Sequence, residues 1–210
     1  MSLRTISILI VLLSILVPLG HMVDTQTIAK DTRVDLVSLP ISVYILDDQR
    51  GILSSPSSNE RMIVIFEKAN EVWAQAGIKF EIKYIGRIVV PSGIIRELAN
   101  GNHDPFLNGR NLDFQVPSPS LFNAYYAKSI GFLNGMTIGS DLILVTDSRD
   151  VQTDRVTAHE FGHLLGLGHV HDDDGRLMYP GTQGTVLTVE EIKTARDSAQ
   201  SKLNTTYHQD

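Results

Sequence analysis

The 210-residue chain predicts an α/β (α+β) domain, and three observations carry that expectation. Two segments alternate apolar and polar residues with the period of a strand, and a third is a short, wholly apolar run of strand length. Between them lie stretches with helical spacing, bounded by capping residues and glycines. The order is strand, helix, strands, helix, a compact turn and a last helix, which stacks helices against a sheet.

Taken in order, residues 40–46 place Ile41, Val43 and Ile45 on one face and Ser42, Tyr44 and Leu46 on the other. Asn59 or a neighbouring serine caps a helix running to about residue 76, with Ile63, Phe66, Ala69, Val72 and Trp73 on its core face. Gly77 ends that helix, and residues 78–85 alternate as the next strand. Residues 91–120 are rich in Gly, Pro and Asn and read as a long irregular loop, with room for a short helix at 94–99. His103 and Asp104 fall in this loop and could bind a second metal, but a solvated surface position is the favoured reading. Residues 121–138 supply one or two strands, and Leu142-Ile143-Leu144-Val145 a buried one. Asp150 or Thr153 caps the following helix, whose core face is Val156, Phe161, Leu164 and Leu165. Thr188 and Glu191 form a capping box at the start of the last helix.

The run from His159 to His169, HEFGHLLGLGH, carries the chemistry. On a helix, residues i and i+4 share a face, so His159 and His163 present their imidazoles from adjacent turns toward one point. Neutral imidazole is a preferred ligand of Zn²⁺. Glu160 lies about 100° round the helix, placed to reach a water beside the metal without becoming a ligand. Gly166 tolerates positive φ, which ends the helix and lets the chain return with His169. His171 lies in the same short segment and competes for the third ligand position, but the glycine-to-histidine spacing favours His169. Three protein ligands with an open fourth position describe a catalytic zinc. Downstream, Asp172-Asp173-Asp174-Gly175 offers carboxylates that suit Ca²⁺, while a polar turn closed by Gly175 explains the same residues.

At the N-terminus, Arg4 precedes an almost purely apolar run over residues 6–19, broken by Ser14 and Pro18. That run is short for a membrane span and has the size and flanks of a secretory signal. Residues 1–20 are therefore read as a signal peptide or an uncleaved anchor, 21–39 as a short leader, and 40–205 as the catalytic domain. The domain is expected outside the cell or at its surface, touching a membrane only through such an anchor. There are no cysteines, so an exported chain relies on its core and its metal rather than on disulfides. His21 and His208, near the termini, are read as spectators. The net charge of −6, with no basic tract, argues against nucleic acid as a partner.

The extended histidine motif resembles that of the metzincin clan of zinc endopeptidases. Nine residues past His169, Leu177-Met178-Tyr179-Pro180 looks like the Met-turn as matrixins write it, and residues 187–192 resemble the start of the matrixin C-terminal helix. Val72-Trp73-Ala74-Gln75-Ala76-Gly77-Ile78 is similar to a helix–strand junction of bacterial matrixin-like proteins. The resemblance implies a metzincin-like zincin fold. That fold is a twisted, mostly parallel sheet with an antiparallel edge strand, packed on the active-site helix, with a C-terminal helix after the Met-turn. It implies that Met178 forms a hydrophobic floor beneath the metal and that an edge strand, placed near residues 131–138, pairs with extended substrate. Departures are Val170 after the third histidine, Gly181-Thr182-Gln183 in place of Pro-x-Tyr, and Pro180 where astacins carry a ligand tyrosine. The absence of cysteine excludes a thiolate latency switch; Asp24 or Asp31 in the leader would be the acidic substitutes.

The expected function is a monomeric zinc endopeptidase acting on extended peptides or proteins. Zinc would be held by His159, His163 and His169, with Glu160 as general base. Two other readings share the site: a zinc-bound binding or adhesion module with vestigial activity, and a hydrolase of non-peptide amides.

Overall fold

The computed structural model describes residues 35–109, 120–148, 150–181 and 183–207. The N-terminal apolar run, Asp24, Asp31, His21 and His208 lie outside them. Five strands form one sheet: β1 Val37–Asp48, β2 Ile78–Val90, β3 Phe122–Ala127, β4 Gly135–Ile138 and β5 Leu142–Thr146. Across the sheet the order is β2-β1-β3-β5-β4. Three neighbouring pairs are parallel, and β4 alone runs antiparallel, at an edge.

A central parallel strand is covered on both faces and so reads as almost continuously apolar. β1 shows this: Ile41, Val43 and Ile45 enter one core, Tyr44 and Leu46 the other. It extends beyond the expected 40–46 because Val37 through Asp48 pair with Ile78 through Val90 of β2, with one shift of register between Ile41 and Ser42. Parallel neighbours require a long crossover. Between β1 and β2 this is helix α1 (Asn59–Trp73), continued by a 3₁₀ turn at Ala74–Ala76 and closed by left-handed Gly77.

Ser58 is the cap of α1, its hydroxyl accepting from the Arg61 N–H at 3.3 Å. The buried face is Met62, Ile65, Phe66, Ala69 and Trp73. Ile63, expected on that face, is 46% exposed, since it sits about 100° round the helix from Met62. The long loop expected over residues 91–120 is also corrected. The short helix allowed at 94–99 is α2 (Ser92–Ala99), and the correction is a further short helix, α3 (Asp104–Gly109), whose Phe106 is fully buried in the second core. Pro105 sits in the first turn of α3, where proline is tolerated.

Helix α4 (Thr153–Leu164) carries the histidine motif. Its N-cap is Gln152, with no side-chain cap bond, so neither Asp150 nor Thr153 takes that role. The last helix, α5 (Val189–Tyr207), opens on the expected capping box. The Thr188 N–H donates to Glu191 Oε2 at 2.8 Å, and the Glu191 N–H donates to Thr188 Oγ1 at 3.3 Å. Among the described residues no helix is long and apolar enough to cross a membrane.

Helices α1, α4 and α5 pack on one face of the sheet, and α2 with α3 on the other. The first core fixes α4. Phe161 stacks on Phe80 with centroids 3.9 Å apart and meets Phe66 edge-on at 5.9 Å. Trp73 is fully buried, and its Nε1–H donates to the carbonyl of Ala158, the residue before His159, at 3.1 Å. Trp73→Phe keeps an aromatic ring but removes the indole hydrogen bond and leaves a void beside the Ala158 carbonyl. We expect a loss of about 1–3 kcal/mol in denaturant unfolding; a change near zero would show that the indole does not key α4 to α1.

Candidate metal centre

Three side chains converge at the C-terminal end of α4. His159 and His163 project from the helix, and the chain then leaves it through Gly166 at φ 85° to bring back His169. That left-handed position is strained for any other residue type. The Nε2 atoms of His159 and His169 are 3.1 Å apart, as are those of His163 and His169. Among the described residues this is the group of three or more ligand-type side chains that converges.

The outer nitrogens settle what the inner ones offer. His159 Nδ1 lies 2.7 Å from the Leu177 carbonyl and His163 Nδ1 lies 2.9 Å from that of Leu167. A carbonyl only accepts, so each Nδ1 carries the proton and each Nε2 presents a lone pair. A proton on His169 Nε2 could satisfy one of those lone pairs, not both. A cation among the three satisfies them together. Ligands of a tetrahedral zinc at its usual nitrogen distance stand about 3.3 Å apart, so the donor set fits that ion in number, type and spacing. Burial pushes His159 down to about 4, against the opposing effect of its Leu177 bond, and the nearby Arg155, His163 and His169 add repulsion. Burial also lowers His169. Both are neutral at pH 7, the form that binds metal.

Glu160 is buried beside the triad. Thr137 of β4 donates from Oγ1 to Glu160 Oε2 at 2.8 Å and lies 3.0 Å from the Glu160 carbonyl. Desolvation raises the Glu160 carboxyl to about 7, with the Thr137 bond and the Arg155 charge pulling the other way. A cation at the histidines would add to that pull and favour the carboxylate.

Met178 is fully buried, and its sulfur occupies the space that a side chain at Gly162 would need. The helix therefore carries glycine between its two histidines so that the turn can approach. The turn's carbonyls are engaged as well. Leu177 O accepts from His159, Met178 O accepts from the Val170 N–H at 3.0 Å, and Tyr179 O accepts from Arg155 Nη2 at 2.7 Å.

His171 is exposed, with its ring 6.3 Å from that of His169, and stands outside the triad. The aspartates at 172–174 do not converge as a metal site among the described residues. Asp173 instead accepts from the Gly175 N–H at 2.9 Å, as a polar turn requires. His103 faces the Ile130 carbonyl at 3.2 Å. Thr137 and Arg155 were not singled out from sequence. A threonine in a short strand and an arginine in a helix carry no local signal of a role set by tertiary contacts.

The triad opens on a cleft of about 670 Å³ bordered by Phe132, Gly135, Thr137, Arg155, Glu160 and Pro180, among others. Its rim includes the fully exposed Phe132.

The family profile described as Matrixin matches residues 43–200. No curated protein sequence matches this chain. Among solved structures, archaemetzincin from Methanopyrus kandleri aligns at a TM-score of 0.53 and 13% identity, covering 80% of this chain and 98% of that one. Metalloproteinase-II from Bacteroides fragilis aligns at a TM-score of 0.47 and 16% identity, covering 78% of this chain and 54% of that one. The likeness to archaemetzincin is one of fold, and zinc is the metal expected for the matched family. With the profile running from β1 into α5, through the histidine triad and the Met-turn, the chain belongs to the matrixin family of metzincin-type zinc metallopeptidases.

Proposed function

We propose that this chain is an exported zinc endopeptidase that hydrolyses extended peptides, with His159, His163 and His169 as zinc ligands and Glu160 as general base. The observation that carries the reading is the convergence of three imidazole nitrogens on a cleft in which a buried carboxylate stands beside them. Zinc bound there would acidify water and polarise a carbonyl. Glu160 takes the proton released as water attacks and delivers it to the leaving amine. The Thr137 hydroxyl, on one carboxylate oxygen, leaves the other free for that transfer. No residue serves as a covalent nucleophile. The open edge of β4 borders the cleft and suits an extended peptide added as a further strand. Export rests on the apolar run at residues 6–19 behind Arg4.

The direct test is cleavage profiling of the purified protein with zinc, repeated with a chelator. Chelator-sensitive cleavage of peptides is the expected result. Protein that binds zinc yet cleaves no peptide pool would favour a binding module or a hydrolase of other amides.

Glu160→Gln should retain zinc and lose activity by about 10²–10⁴-fold, the range for removing a general base; full turnover in this variant would reject the role. In metal titrations, His169→Ala should greatly weaken zinc binding while His171→Ala stays near normal. The reverse ranking would reassign the third ligand. Thr137→Val removes a hydrogen bond to a charged group, about 1.5–3 kcal/mol. We expect kcat to fall about 10–100-fold with zinc affinity unchanged, and Thr137→Ser to restore it. An unaffected kcat in the valine variant would show that Glu160 needs no such support.

A further inference from the structure

Arg155 is a buried cation with no carboxylate at ion-pair distance among the described residues. Its guanidinium instead donates to three backbone carbonyls: Nε to Gly184 at 3.0 Å, and Nη2 to Leu177 at 2.6 Å and to Tyr179 at 2.7 Å. All three belong to the segment that carries Met178. Arg155 itself stands one helical turn before His159, on the same face of α4. One acceptor is shared: the Leu177 carbonyl takes the Arg155 bond on one side and His159 Nδ1 on the other.

We propose that Arg155 is a positioning residue for the metal centre, acting through the Leu177 carbonyl on the His159 ring and through Tyr179 and Gly184 on the turn beneath it. The inference rests on the reading of His159, His163 and His169 as zinc ligands. A carbonyl has two lone pairs, and fixing one with a planar cation fixes the direction of the other. The His159 ring is then held both in its tautomer and in its plane. Outer contacts of this kind set the affinity of metal sites. Leu177 and Tyr179 flank Met178, so the same guanidinium also fixes the backbone on either side of that side chain. In between, the Met178 carbonyl is free to hold Val170 and thereby the His169 segment. One side chain therefore reaches the surroundings of two of the three ligands. His163 is the internal control, since its Nδ1 is held by Leu167, which Arg155 does not touch.

Arg155→Lys keeps the charge and most of the stem but loses the fork, so it can reach only part of this carbonyl set. Zinc affinity should fall about 10–100-fold in competition titrations, the range for losing an outer-shell partner, while thermal unfolding of the metal-free protein stays cooperative. In the zinc-loaded variant the ring ¹⁵N–H signal of His159 should move and that of His163 should not. Affinity within twofold of the parent overturns the proposal. So do equal movements of both signals, which would mean general loosening of the loop. If the lysine variant fails to fold, the parent protein still decides: the Arg155 guanidinium protons should exchange slowly and slow further on zinc binding, and exchange at solvent rate overturns the role. A parent chain that binds no zinc would instead sink the metal-site reading itself.

Discussion

Three imidazole nitrogens held 3.1 Å from their neighbours are the constraint around which this fold is arranged. Two of them present lone pairs, fixed by Nδ1 protons that are already committed to carbonyls. Without a cation between them such nitrogens repel, so the protein has to hold the arrangement by other means. It does so from behind. His159 is tied to Leu177, His163 to Leu167, and His169 is delivered by a backbone reversal at Gly166 that only glycine adopts without strain. Pre-organisation of this kind means that little ordering remains to be done when metal binds.

The same economy governs the turn beneath the site. Buried backbone carbonyls have to be paired, and residues 177, 178 and 179 commit theirs to His159, to the segment that carries His169, and to Arg155. A buried guanidinium would ordinarily be costly. Here its donors meet three carbonyls of residues 177–184, two of which also accept from His159 Nδ1 and from the Gly181 N–H. Polar groups that are each expensive to bury thus satisfy one another, and the metal site gains rigidity from the exchange. On the apolar side, the stacking of Phe161 on Phe80 and the indole bond to Ala158 fix α4 from the sheet, so the helix is located by two independent sets of contacts.

How much of this was legible in the chain follows from the range of the interactions involved. Strand faces in β1, the glycine stop after the 3₁₀ turn, the capping box at Thr188 and Glu191, and the reversal at Gly166 are all decided within a few residues, and periodicity or a special residue type marks each of them. The antiparallel edge strand came from the family resemblance rather than from any local pattern. Where the reading failed, the deciding partner was distant. Ile63 and Met62 are equally apolar, and only the position of the sheet decides which is buried. α3 is anchored by Phe106 in the second core, and its composition resembles a loop. The start of α4 at Gln152 has no side-chain cap for sequence to reveal. Thr137 lies 23 residues from Glu160, and Arg155 lies 22 from Leu177; neither separation leaves a mark that one sequence can show.

β4 joins these themes. Gly135 and Thr137 face α4, while Met136 and Ile138 pack toward the second core. A strand's side chains alternate, so a slip of one residue in its pairing with β5 would turn Met136 toward Glu160 and carry Thr137 away. The register from Gly135↔Val145 to Ile138↔Leu142 is therefore a condition on the carboxylate as much as on the sheet. If substrate adds to the outer edge of β4, as the proposed function has it, the strand that registers the peptide also registers the base. The distance between a bound peptide bond and Glu160 is then set by one rigid element instead of by two that must be brought together. Short as it is, the strand is tied on both sides, to β5 by its backbone and to α4 by the Thr137 hydroxyl.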